Sequence, residues 1–293
     1  MTDMRITWRS LNKSRRVSRS RAGSFAIILF LFVFAAFMAM PMVLIIGNSF
    51  KPLDELWIFP PKFFPTSPTL DNFRDMFNIM SDSIVPFLRY VFNTVLITVI
   101  GTAGNIVICS MCAFVLAKKR FPGSRIMFRI IVLSLMFSPS VGAVINYITL
   151  AAFRWIDTYL ALIVPAVAAP LGLYLMKQFI EQIPDSLLEA ARIDGASQWL
   201  IFWRIVMPNI KSAWLTLMLL SVQTLWGVGA TPYIYKEELK TLPYALNQIL
   251  AGGVARAGVG AAVTVFMMIV PILVFIFSQA NILETMSTSG MKE

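Results

Sequence analysis

Polar and apolar positions in this chain do not alternate; they separate into long blocks. Stretches free of Asp, Glu, Lys and Arg run over Phe25–Phe50, Tyr90–Ala117, Ile130–Phe153, Thr158–Met176, Ser212–Tyr235 and Ala257–Leu283. About 20 apolar residues in a helix span the hydrocarbon core of a bilayer. The pattern therefore predicts an all-α integral membrane protein with six transmembrane helices. Pro139, Pro165, Pro170 and Pro271 fall inside these blocks, where each removes a backbone hydrogen bond and favours a kink.

The connections have patterns of their own. Pro60, Pro61, Pro65 and Pro68 mark an extended segment. Leu70, Phe73, Phe77 and Met80 then recur at helical spacing, with Asp71, Arg74 and Asp75 between them. That spacing predicts an amphipathic helix, either lying in the membrane interface or packing on the bundle. A second amphipathic stretch follows Pro243 within Lys236–Arg256. The expected organisation is a basic arm at 1–23, a first transmembrane helix at 24–50, an outer connection at 51–86, a transmembrane core at 87–283 and a tail at 284–293. A surface segment at 185–208 interrupts the core. The first block exceeds the 7–15 apolar residues typical of a secretory signal, and no small-residue cleavage site follows it, so a retained anchor is expected.

Composition agrees with a lipid environment. The chain is 58% hydrophobic and 14% charged, with a mean hydropathy of +0.74, whereas soluble domains carry about 25% charged residues. The net charge of +10 does not point to nucleic acid, because the basic residues collect at the ends of apolar blocks. Most of the 25 Lys and Arg share one side when the blocks are threaded alternately. They include the arm from Arg5 to Arg21, the turn from Lys118 to Arg129, and Lys177, Arg192, Arg204, Lys211 and Lys292. The positive-inside rule makes that side, with both termini, cytoplasmic.

Several chemistries lack their residues. With no histidine, an H-E-x-x-H zinc site cannot form, and no metal site is expected. The Cys109/Cys112 pair lies inside an apolar block and reads as small buried residues on one helix face, without further zinc ligands. No phosphate-cradling G-x-x-x-x-G-K-[ST] run occurs. Every carboxylate lies in a loop or at a helix end, which disfavours proton coupling. A membrane enzyme and a passive structural subunit stay as alternatives, but the chain has no visible source of energy for transport.

One charged stretch stands out: EAARIDGASQWLIFWRIVMP, Glu189–Pro208. Pro184 ends the preceding run, and Ser186 with Glu189 three residues on predicts a capping box. A short helix over Leu187–Asp194 would close at Gly195, which tolerates positive φ. A second apolar segment, Trp199–Met207, would return to Pro208. The product is a helical hairpin, either a docking knob for another protein or an element resting on lipid headgroups.

The order Glu189-Ala190-Ala191, three residues, Gly195, nine residues, Ile205, one residue, Met207-Pro208 resembles the EAA signature of permease subunits of ATP-binding-cassette importers. Met207 stands where that pattern prefers leucine, a volume-conserving exchange. Further stretches, among them Thr69–Phe73, Asn93-Thr94, Arg120–Gly123, Thr241–Pro243 and Gly290–Lys292, are similar to maltose-type (MalG-like) sugar permeases, and together they cover most of the chain. A Trp-Asn-Asp/Glu-Phe run common there is Trp226-Gly227-Val228-Gly229 here.

The resemblance implies a MetI-like permease core in the plasma membrane of a prokaryote. A second permease subunit, two ATPase subunits and an extracytoplasmic solute-binding protein would be its partners. ATP and Mg would sit on the ATPase, and this chain would hold no cofactor. Glu189, Ala190, Ala191, Asp194, Gly195, Ile205 and Pro208 become the ATPase-coupling residues. Gly290, Met291 and Lys292 become a regulatory contact. Candidates for a sugar path are the polar and aromatic residues within blocks, Asn146, Tyr147, Gln223, Thr224 and Trp226. Each can equally serve as an interhelical hydrogen bond or interface anchor. The uncharged blocks favour a neutral carbohydrate, with other solutes of the same importer class as the alternative.

Overall fold

The computed structural model describes residues 21–289, apart from 82–84, 120, 138 and 252. Most of the basic arm and the Gly290–Lys292 contact lie outside the described residues. Fourteen α-helical segments follow in order among the described residues. They are α1 (Arg21–Ser49), α2 (Leu53–Leu56), α3 (Asp71–Ser81), α4 (Phe87–Lys118), α5 (Ser124–Ser134), α6 (Pro139–Ala152), α7 (Leu160–Val167), α8 (Pro170–Glu181), α9 (Asp185–Ile193), α10 (Gln198–Ile201), α11 (Met207–Asn209), α12 (Lys211–Trp226), α13 (Leu242–Leu250) and α14 (Ala257–Ser289). A π-helical turn, Phe202–Val206, joins α10 to α11.

Four helical stretches among the described residues are long and apolar enough to cross a membrane: Gly23–Ser49, Phe87–Lys118, Leu160–Glu181 and Ala257–Gln279. A fifth arises if Gln198–Asn209 and Lys211–Trp226, bent by 80°, count together. The block at Ile130–Phe153 is broken instead of continuous. Chain α5 stops at Ser134, and α6 starts on Pro139, whose fixed φ and missing N–H suit a first helical turn. The block ending at Tyr235 stays helical only to Trp226, and Gly227 follows it.

Helix α4 is the centre of the bundle and packs against α7, α8, α12 and α13. Small residues allow close approach. A Cβ on Gly172 of α8 would lie 2.9 Å from Asn105 Oδ1 and 3.0 Å from Cys109 Sγ. Pro170 cannot donate to the carbonyl four residues back, and Asn105 Nδ2 donates to that Ala166 oxygen at 2.5 Å. Cys109 Sγ lies 3.8 and 3.6 Å from the Val167 and Ala169 oxygens. Two residues one turn apart on α4 thus supply partners where the α7–α8 span breaks, as an apolar setting requires. Cys109 is the buried small residue expected, but Cys112 is exposed.

On the face opposite the α4 C-terminus, buried Asn93 joins three segments. Its Nδ2 donates to the Glu238 and Lys240 oxygens at 2.8 Å each, and its Oδ1 accepts from Tyr159 at 2.7 Å. Thr94 Oγ1 accepts from Leu242 N at 2.8 Å. Helix α3 packs against α13 and α14. It buries Asn72, Met76 and Met80, a face offset from the one the sequence suggested, and Leu70 and Phe77 stay exposed. Helix α1 leans on α14 and presents Phe32, Phe37 and Met38 outward, as lipid-facing side chains would be.

Candidate functional site

The Glu189–Pro208 stretch folds as a hairpin at the end of the bundle where α4 finishes. Its first arm is α9, which begins one or two residues earlier than the sequence suggested. The expected capping box does not form: Pro184 occupies the N-cap position without a side-chain bond, and Asp185 opens the helix. A proline at this boundary already fixes the chain, and the acidic first turn complements the helix dipole.

The turn closes as a Schellman motif. Gly195 has φ +81°, its N–H donates to Arg192 O at 3.0 Å, and Ala196 N donates to Ala191 O at 2.9 Å. Ala191 and Ala196 both pack against the buried cluster beneath, so the small residues have a local structural use. A Cβ added at Gly195 would meet nothing within 4 Å in this chain. The backbone angle, not space within the subunit, therefore demands glycine here.

The return arm starts at Ser197, whose Oγ accepts from Leu200 N at 3.2 Å. It continues through α10, the π turn and α11. Leu188, Ile201, Phe202, Val206 and Ile210 are buried together with Phe114 of α4 and Met176, Ile180 and Ile183 of the α8 region. Phe114 and Phe202 have ring centroids 5.8 Å apart. Apolar side chains of this size contribute about 1.5–3 kcal/mol each when withdrawn from water, so the hairpin base is firmly seated.

The outer side of the hairpin is different. Glu189, Ala190, Arg192, Asp194 and Gly195 are exposed, and Ile193 is 86% exposed at the turn. Among the described residues, Glu189, Arg192 and Asp194 form no ion pair. Ile205 is half-buried against the base and Pro208 is exposed. The motif residues thus divide between a packed base and a free tip. The sequence reading did not single out Ile193; an isoleucine just before Asp-Gly in a surface turn was the available signal.

The candidate path residues are not gathered into one site. Asn146 and Tyr147 are exposed on α6, and Gln223 and Thr224 are exposed on α12. Gln223 lines a cavity of about 270 Å³ with Leu219, Pro271 and Phe275. Thr224 Oγ1 donates back to Leu220 O at 2.9 Å. Trp226 is buried, and its Nε1 donates to Met267 O on α14 at 3.0 Å, so its indole joins two helices. Tyr147 has company the sequence reading missed. Its ring stacks on Tyr233 at 6.4 Å, and its hydroxyl lies 3.3 Å from that of Tyr235.

Asp157 organises the segment carrying those tyrosines. It sits at φ +63°, a region Asp tolerates better than most residues. Its Oδ1 accepts from Tyr235 N at 2.8 Å and Lys236 N at 2.9 Å. The Lys236 amide foremost, joined by that of Tyr235 and the Lys236 charge, holds its carboxyl below the usual carboxylate range, although burial opposes them.

The model of the family described as "Binding-protein-dependent transport system inner membrane component" matches residues 105–287. The chain belongs to this family. It is thus a membrane transport component and not an enzyme. Protein LplC of Bacillus subtilis (strain 168) is 34% identical over 224 residues, covering 76% of this chain and 74% of LplC. The polygalacturonan/rhamnogalacturonan transport system permease protein YtcP of the same organism is 31% identical over 216 residues, covering 73% and 72%. Among solved structures, a bacterial ABC transporter involved in the import of the acidic polysaccharide alginate matches with a TM-score of 0.75 and 23% identity. That match covers 89% of this permease component and 98% of the matching chain, and it establishes the shared fold.

Proposed function

We propose that this permease component is one of two permease subunits that enclose the path of an ATP-binding-cassette importer for oligosaccharides. It would have six spans and both termini in the cytoplasm. In this reading α5 with α6 forms the third span, and α12 forms the fifth. The hairpin from α9 to α11 enters a cleft on a separate ATPase, which binds the ATP and Mg, and an extracytoplasmic binding protein delivers the solute. The observation that carries the reading is the hairpin itself, with its buried base and its Ile193 tip 86% exposed. An apolar tip beside charges that form no ion pair among the described residues is suited to a protein cleft. ATP closing that cleft would favour one arrangement of the bundle over another.

For the solute, the relatives named above are a permease for polygalacturonan and rhamnogalacturonan and a transporter for alginate. These names favour carbohydrate and raise a second reading, an acidic oligosaccharide. The spans of this chain favour a neutral one. Lys177, the cation that α8 adds to its expected block, is buried against Glu181 and lies 3.9 Å from the Phe128 ring centre. Tyr147, Tyr233 and Tyr235 offer ring faces and hydroxyls of the kind that hold sugars.

The test is reconstitution with the partner permease, ATPase and binding protein in vesicles. ATP-dependent uptake of neutral oligosaccharides supports the proposal. Uptake of uronate oligosaccharides alone selects the acidic reading, and uptake without the ATPase contradicts both.

A further inference from the structure

The last residue of α4 does not behave as a span-end lysine usually does. Such residues extend toward water or lipid headgroups. The Lys118 side chain is only 6% exposed and turns inward beneath the hairpin. Its Nζ donates to Ile183 O at 2.5 Å and to Asp185 Oδ1 at 2.9 Å, and it lies 3.5 Å from Glu181 O. One ammonium thus meets the carboxyl end of α8, the bend before Pro184 and the first residue of α9.

The position has a physical logic. The last carbonyls of α8 have no helical partners, and a cation there satisfies them and complements the dipole. Pro184 contributes no N–H and no side-chain cap to α9. Beside the apolar base, Lys118 is then a polar tie between the first hairpin arm and the bundle. It belongs to α4, the helix against which α7, α8 and α12 all pack.

We propose that Lys118 is a positioning residue for coupling: a strut that passes displacement of the hairpin into α4 and from there to the spans. The inference rests on the hairpin being the ATPase contact. Three donors on one buried nitrogen fix direction as well as distance, which the greasy contact below cannot do alone. Without the strut the hairpin would stay seated but could rock against the helix ends. ATP would then be hydrolysed with less movement of solute.

The experiment uses the complete importer in vesicles and reads ATP hydrolysed per solute delivered. Lys118→Met keeps the length and removes the charge. The expected result is an assembled complex in which that ratio rises about fivefold or more, within the usual range of coupling effects. Lys118→Arg, which can reach the same oxygens, should restore most of the coupling. An unchanged ratio in assembled Lys118→Met overturns the strut, as does failure of Lys118→Arg to rescue it. If Lys118→Met does not assemble, Asp185→Ala carries the test, because that side chain is 76% exposed and its loss severs the tie to α9 while both carbonyl contacts keep the lysine seated. A raised ratio supports the strut and an unchanged ratio overturns it. Ile193→Asp separates the two ideas. If it impairs coupling while Lys118→Met does not, only the strut falls. If it leaves coupling intact, the docking of the hairpin on an ATPase falls first.

Discussion

Asn105 donates its amide hydrogen to the carbonyl of Ala166 at 2.5 Å, filling the role of the N–H that Pro170 lacks. The bond crosses from α4 to the broken α7–α8 span. It explains how a proline can interrupt a membrane-crossing helix without leaving a bare carbonyl in hydrocarbon. The break divides a half-helix tied to Asn93 through Tyr159 from a half-helix that leads into the hairpin.

Removing this bond should loosen the bundle. Asn105→Leu is expected to cost about 1–3 kcal/mol, the penalty of an unsatisfied buried carbonyl, and to lower the thermal unfolding midpoint in detergent. Gly172→Ala should act at the same crossing, since its Cβ would press on Asn105, Cys109 and Leu217. The double variant should lose less than the sum of the singles.

Trp226 and Tyr147 should separate in function. Trp226→Phe removes the hydrogen bond to Met267 O, with an expected loss of about 0.5–1.5 kcal/mol in stability and no change in solute preference. Tyr147→Ala removes the stack on Tyr233 and the contact with Tyr235. The expected outcome is a weaker apparent affinity for solute in vesicle uptake at unchanged protein stability.

The clasp at Asp157 carries a pH signature. Its folded carboxyl lies below the unfolded value of about 3.9 because it accepts from Lys236 and Tyr235 amides. A depressed carboxylate contributes stability that is complete above the unfolded value and is lost as pH falls through the folded one. Hydrogen-exchange protection of the Tyr235 and Lys236 amides should therefore hold through mild acid and fall only below about pH 4. Asp157→Asn should lower that protection at neutral pH.

Four of the six blocks were legible as membrane-crossing helices because lipid imposes long uncharged stretches, and Phe87–Lys118 and Ala257–Gln279 follow them closely. The break before Pro139 and the early end at Trp226 were less legible. A block of apolar residues does not reveal where the backbone stops being helical when neighbours or local turns satisfy its carbonyls. The Gly195 turn was readable because positive φ leaves a residue-level trace. The absent capping box shows the opposite case: Ser186 and Glu189 have the right spacing, but Pro184 had already fixed the boundary two residues earlier. Trp226 was ambiguous because an aromatic in a span looks alike whether it meets solute or joins helices, and only the bond to Met267 decides its present use. Lys118 gave no signal, since a lysine ending a span is what topology alone predicts.

The proposed link between the α9–α11 hairpin and an ATPase is tested most directly at Gly195. A Cβ there meets nothing within 4 Å in this chain, and the strain is local, about 1–2 kcal/mol for a residue held at positive φ. The importer carrying Gly195→Asp should be reconstituted and its ATP hydrolysis and solute uptake measured side by side. The account predicts a folded, membrane-inserted subunit whose complex hydrolyses ATP but takes up little or no solute; uptake at the unmodified rate would contradict it.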